Sequence, residues 1–334
     1  MRRVLILEPN LNQALAIAKY IKRYSNYYVI GCGNYKPKSN IYDEWISGNK
    51  IDFTESFDYV LPTGASSTFE YINKVKELKL NSEVKFTHEN LIVFDKVKML
   101  DFVKSLNIPV PHTFQEIRQI YSYPVFYKEK FEKGGGIRGI AYTPSDIPKN
   151  ENLIYQEFID TPSTYGVGFL ANDGEILTYM IHKEVISYPK EGGSAIVIEQ
   201  FFDERLISYT SKIIKHLNYN GWGLAEYKYC NRRKDFVFME LNAKFWASIE
   251  FMLINNPVFL KYILGINYHE RNVQRILFIN RLLSYNFMDS IKNCKYLINS
   301  KIIVEESLGR QILIKLIPTP IKSLLKGISI KLKK

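Results

Sequence analysis

A predicted β-hairpin near the middle of this 334-residue chain constrains its structure and chemistry more than any other stretch. Residues 223–229 and 235–241 are rich in β-forming side chains, and the polar turn 230–234 separates them. This arrangement is typical of two antiparallel strands joined by a short turn. Pairing of the two strands would set Glu226 beside Glu240.

Three oxygen-bearing side chains are expected to converge on one face of this hairpin. Side chains alternate along a strand, so Asn242 should share the face of Glu240. Two carboxylates and an amide oxygen are the hard ligands that Mg²⁺ takes, and buried carboxylates this close repel one another without a cation. The pattern predicts Mg²⁺, or Mn²⁺, bound by Glu226, Glu240 and Asn242. The alternative is a solvated hairpin with alternating polar residues.

A glycine-rich loop with basic neighbours lies about a hundred residues upstream. Residues 123–128 are predicted to form a strand that ends in Lys128, and the loop after it leads to Arg138. Consecutive glycines let backbone N–H groups approach phosphate oxygens, although a flexible turn explains three glycines equally well. The loop lacks the Gly-Lys-Ser/Thr ending of a Walker A motif. Its glycines are Gly134, Gly135 and Gly136.

The first 90 residues are predicted to form a small α/β unit. Short apolar strands at 4–7, 28–31 and 59–61 are separated by helical patterns, which favours a parallel sheet. The first strand runs into Glu8-Pro9-Asn10, where a dinucleotide-binding fold would need a glycine-rich turn. A dinucleotide site is therefore not predicted.

Taken in order, these pieces resemble the ATP-grasp superfamily of carboxylate–amine ligases. The resemblance covers about residues 1–265. It depends on an ordered set of short motifs, which is more specific than any one of them. The set consists of Asp95-Lys96 opening a helix, the strand ending in Lys128, the glycine loop through Arg138-Gly139, Gln156-Glu157-Phe158-Ile159, and Glu226 with Glu240-Leu241-Asn242.

The resemblance implies an α/β and α+β chain with an ATP-grasp fold and an N-terminal Rossmann-like pre-ATP-grasp domain. The N-terminal domain would span residues 1–90 and the ATP-grasp domain 91–265. Within the latter, we expect a lid-like subdomain at about 122–171 and a metal-binding subdomain at about 172–264. Residues 266–334 are predicted to form a helical, basic extension.

The resemblance also implies that ATP lies between the two subdomains. Lys96 and Lys128 would contact its phosphates and the edge of adenine, and the glycine loop would cover the phosphates. Backbone groups of Gln156, Glu157, Phe158 and Ile159 would bind adenine. The predicted catalytic cations are Arg138, Lys183 and Lys244. Lys244 stands where the superfamily usually has an arginine, so charge is kept without the planar guanidinium.

The activity implied is an ATP-dependent ligation of a carboxylate to an amine through an acyl phosphate, with Mg·ATP. Two alternatives stay open. One is a carboxyphosphate-forming carboxylase or an enzyme like carbamoyl-phosphate synthase, and the other is a non-catalytic ATP-binding module. The expected partners are small-molecule carboxylates and amines. The sequence leaves the oligomeric state open, with a homodimer as one alternative.

The net charge of +11 does not indicate a nucleic-acid-binding protein, because much of the excess lies at one end. Residues 307–334 hold seven basic residues and no acidic one. Apolar residues recur there at helical spacing, which predicts either a helix docked on the body or peripheral contact with a membrane. Three dispersed cysteines and the lack of a signal peptide favour the cytoplasm. The apolar positions are Ile321, Leu324, Leu325, Ile328 and Leu332.

Overall fold

The computed structural model describes residues 1–37, 39–48, 57–74, 86–188, 193–269, 271–284 and 292–305. The predicted C-terminal amphipathic segment lies outside these residues. In the described part the chain forms three β-sheets, and none of its helices is both long enough and apolar enough to span a bilayer.

The first sheet is parallel and begins at the N-terminus. Its strands lie in the order β3-β2-β1-β4. The side chains of Val4, Leu5 and Ile6 are completely buried, and helix α1 packs Ile17 and Ile21 into the same core. The three strands predicted from the sequence are present, and β3 was not predicted. The elements are β1 (Arg3–Leu7), α1 (Asn12–Tyr24), β2 (Tyr28–Gly33), β3 (Glu44–Ser47), β4 (Tyr59–Pro62) and α2 (Ala65–Lys74).

The second sheet has four antiparallel strands in the order β5-β8-β6-β7. One face has a small apolar core of its own, which includes Val125, Leu153 and Tyr155. The other face carries Lys128 and Gln156. Helix α3 (Lys96–Ser105) precedes the sheet and begins at the residue that the sequence predicted. The strands are β5 (Thr113–Phe114), β6 (Val125–Glu129), β7 (Arg138–Ala141) and β8 (Leu153–Glu157).

The third sheet has seven strands in the order β13-β12-β9-β10-β11-β14-β15 and is antiparallel apart from β14 and β15. Helix α4 packs on one face, where the Thr210 hydroxyl lies 2.9 Å from the Tyr227 hydroxyl. Strand β13 is the edge strand, and the Phe238 N–H donates to the Pro109 carbonyl, 2.8 Å away. The strands are β9 (Tyr165–Asn172), β10 (Glu175–Tyr188), β11 (Ser194–Gln200), β12 (Gly221–Cys230), β13 (Asp235–Asn242), β14 (Arg275–Phe278) and β15 (Lys301–Ile303).

The opposite face of the seven-stranded sheet carries the candidate site. The Trp246 indole packs against Gly168 on this face, so closely that a methyl group at Gly168 would be 2.6 Å from the indole Cη2. The remaining helices are α4 (Glu204–Leu217), α5 (Ile249–Asn255), α6 (Val258–Leu264) and α7 (Ile279–Ser284). Short 3-10 helices occur at His88–Phe94, Ile117–Gln119, Pro144–Asp146 and Cys294–Leu297.

The predicted α/β and α+β fold class is confirmed, with two differences in detail. Strand β9, predicted to lie in the lid-like part, belongs to the seven-stranded sheet. The prediction that residues 266–334 are helical is wrong for β14 and β15, which extend the same sheet. Ile276 and Leu277 are fully buried there, so their backbone N–H and C=O groups need hydrogen-bond partners within the protein. Pairing with the neighbouring strand β11 supplies them.

Candidate active site

The β12–β13 hairpin places the two predicted metal carboxylates side by side. Glu226 is directly opposite Glu240, and Leu224 is opposite Asn242. The register slips immediately after Glu226, so Met239 bulges from the ladder. The Asn242 side chain donates from Nδ2 to Glu240 Oε1 over 3.0 Å. The convergence expected from strand alternation is therefore present.

Two lysines from distant parts of the chain meet the same carboxylate. Lys96 Nζ lies 2.9 Å from Glu240 Oε2, and Lys128 Nζ lies 3.3 Å from that oxygen. Lys96 is the first residue of α3, where Asp95 caps the helix by accepting from the Lys98 N–H. Lys128 also donates to the Met239 carbonyl over 3.2 Å. These contacts hold the four-stranded sheet against the hairpin.

Burial and neighbouring charges shift the pKa values of Glu240, Lys128 and Lys96. Burial opposes the charge on Glu240, but Lys96 and Lys128 outweigh it and hold the pKa of this carboxyl well below its usual range. Burial lowers the pKa of Lys128, since Glu240 offsets it only in part and Lys96 adds repulsion. Burial also opposes the charge on Lys96, yet Glu240 and Glu132 raise its pKa. Glu132 Oε2 is 2.8 Å from Lys96 Nζ.

The pKa of Glu226 is shifted in the opposite direction to that of Glu240, its cross-strand neighbour. Burial, the Glu240 charge and the Glu184 charge together raise the pKa of Glu226 above its usual range. A cation between the two carboxylates would remove this repulsion. The Asn242 amide bonds Glu240 through its nitrogen, so its oxygen is the atom that would ligate a cation. The donor set therefore fits Mg²⁺.

A divalent ion at this position would not be held by protein carboxylates alone. In the part of the chain that the structure describes, no three or more His, Cys, Asp and Glu side chains are grouped so that they could hold a metal. Two carboxylates and one amide oxygen leave several octahedral positions to water and phosphate oxygens, which is the usual arrangement for Mg²⁺ beside a nucleotide.

The glycine loop lies at the tip of the four-stranded sheet and faces the N-terminal domain. Gly134 and Gly135 adopt φ angles of 104° and 88°, which a residue with a side chain rarely adopts. Gly134 approaches Ala65 at the start of α2, and Lys133 Nζ sits 3.9 Å from the centre of the Phe69 ring. Gly136 belongs to the same exposed loop. The loop therefore contacts the N-terminal domain at Ala65 and Phe69.

The structure places two of the three predicted catalytic cations near the cluster of Glu226, Glu240, Lys96 and Lys128. Arg138 is directly opposite Lys128 in the β6–β7 pair, so the two share a face. Lys244 is close enough to Glu226 to work against the rise in its pKa. Lys183, by contrast, is opposite Tyr165, whereas Glu226 is opposite Gly166. The structure does not bring Lys183 to the cluster, because adjacent strand residues point to opposite faces.

Three residues that the sequence analysis did not select lie on the face of Glu226. His182 is opposite Gly166 on the other side of β9, and burial lowers its pKa to about 4, which keeps the imidazole neutral. Glu184 follows two residues later on β10. Lys228 follows two residues after Glu226, and burial lowers its pKa despite the nearby charges of Glu184 and Glu226. Side chains alternate between the two faces of β12, so the sequence alone could have shown that Lys228 shares the face of Glu226.

The predicted adenine-binding segment links the two antiparallel sheets through its side chains. Glu157 accepts from the His112 N–H over 3.1 Å and from Arg232 over 3.0 Å, and it pairs with Arg233 as well. Ile159 packs against Cys230 and Val237. Gln156 is fully buried, and Phe158 is partly buried. The segment is therefore clamped to the turn of the metal-site hairpin.

No protein-family model and no curated protein sequence matches this chain. Solved structures do match it. An Archaeoglobus fulgidus protein described as belonging to the ATP-grasp superfamily is 12% identical, with a TM-score of 0.61 over 82% of this chain and 91% of that one. The chain has the ATP-grasp fold. At this level of identity the likeness shows the fold alone.

Other structures with an ATP-grasp fold differ in their chemistry. A biotin carboxylase–ATP analogue complex from Campylobacter jejuni is 16% identical, with a TM-score of 0.61 over 80% of this chain and 72% of that one. An L-amino acid ligase from Bacillus licheniformis is 14% identical, with a TM-score of 0.58 over 76% and 70%. The chain spans only 27% of the longer Rhizobium etli pyruvate carboxylase.

A polar cavity of about 240 Å³ opens between the start of α1 and strand β11. In its wall Arg281 and Glu305 form an ion pair at 2.9 Å, and Asn12 donates to Glu305 over 2.6 Å. Arg281 is near enough to Glu184 to oppose the rise in its pKa that burial causes. The cavity is lined by Asn12, Tyr188, Ser194, Ile196, Asn280, Arg281 and Glu305.

Replacing Arg233 by glutamine is expected to weaken ATP binding while leaving the maximal rate nearly unchanged. Arg233 bonds both Glu157 and the Val110 carbonyl, so it fixes the predicted adenine-binding segment against the hairpin without contacting Glu226 or Glu240. We expect KM for ATP to rise by about three- to tenfold, the scale of one partly exposed ion pair with its hydrogen bonds. Steady-state kinetics would measure this.

The matched control is Arg232→Gln in the same turn. The Arg232 side chain is 78% exposed, and such ion pairs contribute little. The KM for ATP of the Arg232→Gln variant should stay within about twofold of the parent value. Equal effects of the two substitutions would contradict a specific clamp at Arg233.

Proposed function

We propose that this chain is an ATP-dependent ligase that joins a carboxylate to an amine through an acyl phosphate, with Mg·ATP as the phosphoryl donor. The observation that carries the proposal is the cluster of Glu226, Glu240 and Asn242 with Lys96 and Lys128, where the two antiparallel sheets meet. The ATP-grasp fold and the likeness to an L-amino acid ligase support it.

In this mechanism Lys96 and Lys128 pair with Glu240 before ATP binds and with the ATP phosphates afterwards. Without nucleotide they neutralise its carboxylate. When ATP enters, its phosphates attract Lys96 and Lys128, which releases Glu240 toward the metal position beside Glu226. Mg²⁺, when bound, neutralises charge on the phosphates and orients them. Because each lysine exchanges one anion for another, little buried charge is left unpaired at any stage.

Phosphoryl transfer needs positioning and charge stabilisation more than a covalent nucleophile on the protein. The substrate carboxylate attacks the γ-phosphorus and ADP leaves, which gives an acyl phosphate. The amine then attacks the acyl carbon and phosphate departs. Arg138 and Lys244 stabilise the transferring group.

The proposal predicts release of ADP that depends on both a carboxylic acid and an amine. The purified protein with Mg·ATP would be screened against a panel of acids and amines, alone and in pairs, by a coupled ADP assay. ADP release with acid alone in the presence of hydroxylamine, giving a hydroxamate, would identify the acyl phosphate. No ATP consumption with any pair across a broad panel would count against the ligase.

A second candidate is a carboxyphosphate-forming carboxylase, which the likeness to biotin carboxylase favours. Bicarbonate would then replace the organic acid as the group that attacks ATP. ATP turnover that requires bicarbonate and no organic acid would support this alternative. A non-catalytic ATP-binding module is the third, and it predicts nucleotide binding without turnover under any of these conditions.

A further inference from the structure

The His182 imidazole is buried on the face of the seven-stranded sheet that carries Glu226. His182 is only 3% exposed, and burial lowers its pKa to about 4. In the part of the chain that the structure describes, no hydrogen bond or charged group offsets this burial. The imidazole is therefore neutral near pH 7 and carries one N–H. Because buried polar groups are nearly always paired, such an N–H points to an acceptor that arrives with a ligand.

The imidazole extends from its own strand toward the strand of Glu226. His182 on β10 is directly opposite Gly166 on β9, and Gly166 is directly opposite Glu226 on β12. A methyl group at Gly166 would lie 2.5 Å from Cε1 and 2.7 Å from Nε2 of His182. The ring can lie over β9 only because Gly166 has no side chain. Its Nε2 edge therefore comes within about one strand spacing of β12.

The surroundings of the imidazole on this face are apolar. The Leu224 Cδ1 atom would lie 2.9 Å from the same methyl group at Gly166, and the Trp246 indole covers Gly168, the next residue of β9 on this face. An uncharged carbonyl group tolerates such surroundings, whereas a phosphate group needs cations or water around it. The position of His182 therefore favours a carbonyl oxygen as the acceptor.

We propose that His182 is a catalytic residue of the second step, donating its N–H to the carbonyl oxygen of the acyl phosphate while the amine attacks. This inference rests on the proposed function. In this step the N–C bond forms and a carbonyl electron pair moves onto the oxygen. Collapse of the resulting oxyanion breaks the bond from carbon to the phosphate oxygen, and the departing phosphate takes the proton that the nitrogen loses. His182 keeps its own proton throughout.

A neutral donor suits this role better than a cation does. It interacts weakly with the uncharged carbonyl and strongly with the oxyanion, so its contribution is made mainly in the transition state. Lys244 supplies a point charge without a fixed hydrogen-bond geometry. In the first step, by contrast, the charge lies on phosphate oxygens, which the cations of the site stabilise. Loss of the His182 N–H should therefore slow the second step and spare the first.

Acetyl phosphate is a probe that separates the two steps. With Mg·ADP it can donate its phosphoryl group to form ATP, which reverses the first step and is measured with luciferase. With Mg·ADP and ammonia it can form acetamide, which requires attack at the acyl carbon and is measured by NMR above the protein-free rate. In His182→Leu, acetamide formation should fall by at least about tenfold, and ATP formation should stay within about threefold of the parent.

Two further variants keep the test independent of how well His182→Leu folds. His182→Gln keeps an N–H near the position of Nε2, so acetamide formation should return to within about threefold of the parent rate. In Gly166→Ala the new methyl displaces the imidazole, so the loss should again be confined to acetamide formation. His216→Leu, at an exposed position on α4, is the matched control and should keep both rates. Calorimetry should show that every variant binds Mg·ADP as the parent does.

The outcomes distinguish a failure of this inference from a failure of the proposed function. If the parent forms both products and His182→Leu slows both equally or neither, the catalytic role of His182 is wrong and the ligase proposal stands. Equal losses of acetamide formation in His182→Leu and His182→Gln would also overturn that role. If the parent chain binds no Mg·ADP and forms neither ATP nor acetamide, the proposed function itself is overturned, and the inference with it.

Discussion

Replacing Glu240 by glutamine is expected to reduce ATP turnover by on the order of 10²- to 10³-fold, the scale of losing one electrostatic contact at a reacting centre. Glutamine keeps the shape of the side chain and removes the charge that pairs with Lys96 and Lys128. It also removes a carboxylate ligand from the metal position. The readout is ADP release under saturating Mg·ATP with an active acid–amine pair.

The control and the binding assay separate lost catalysis from lost fold. Glu199→Gln removes a carboxylate from the same sheet, where it pairs with Arg275 at 2.7 Å away from the cluster, and should leave turnover unchanged. The Glu240→Gln protein should still bind ADP in the presence of EDTA. Its melting temperature should fall only modestly, since buried Lys128 can lose its proton and Lys96 retains Glu132. If ATP turnover by the Glu240→Gln variant stayed within threefold of the parent, the proposed role of Glu240 in the mechanism would be wrong.

Substituting Gly168 by alanine is expected to destabilise the protein by about 1–3 kcal/mol, the usual cost of forcing one extra carbon into a packed core. The backbone φ at Gly168 is not in the left-handed region, so the cost comes from contact and not from strain. The added methyl would overlap the benzo ring of Trp246, which is 4% exposed and cannot rotate away. Urea denaturation followed by circular dichroism would measure the change.

A double-mutant cycle isolates this contact. Trp246→Phe removes the part of the indole that the new methyl would overlap, so the double variant should be less destabilised than the two single changes added together. Strict additivity would show that the methyl is accommodated elsewhere. If Gly168→Ala alone lowered the free energy of unfolding by less than about 0.5 kcal/mol, the result would contradict the close packing.

Local patterns in the sequence were enough to predict the hairpin and helix α3. Alternation along β13 and a short polar turn correctly placed Glu226, Glu240 and Asn242 together, because all three depend on neighbours only a few residues away. The first residue of α3 was also correct, since Asp95 is a typical helix cap. Whether these residues perform the proposed roles stays a prediction.

Contacts between distant parts of the chain could not be predicted in the same way. Lys96 and Glu240 are 144 residues apart, and no local pattern encodes their ion pair. Lys183 and His182 differ by one position, and only the register of β10 against β9 decides which faces Glu226. Strands β14 and β15 are too short for a recognisable period. β14 forms because β11 offers it a free edge, and β15 then pairs with β14.

The contact between Phe238 and Pro109 bears on how one edge of the seven-stranded sheet is protected from pairing with another strand. Strand β13 carries the apolar run Phe236-Val237-Phe238-Met239 at the edge of a sheet, and such a run is a template for pairing with other chains. The connector that covers it contains Pro109 and Pro111, which have no N–H to extend a ladder. The β13 edge of the seven-stranded sheet is therefore protected against further strand pairing by a connector whose prolines cannot donate to another strand.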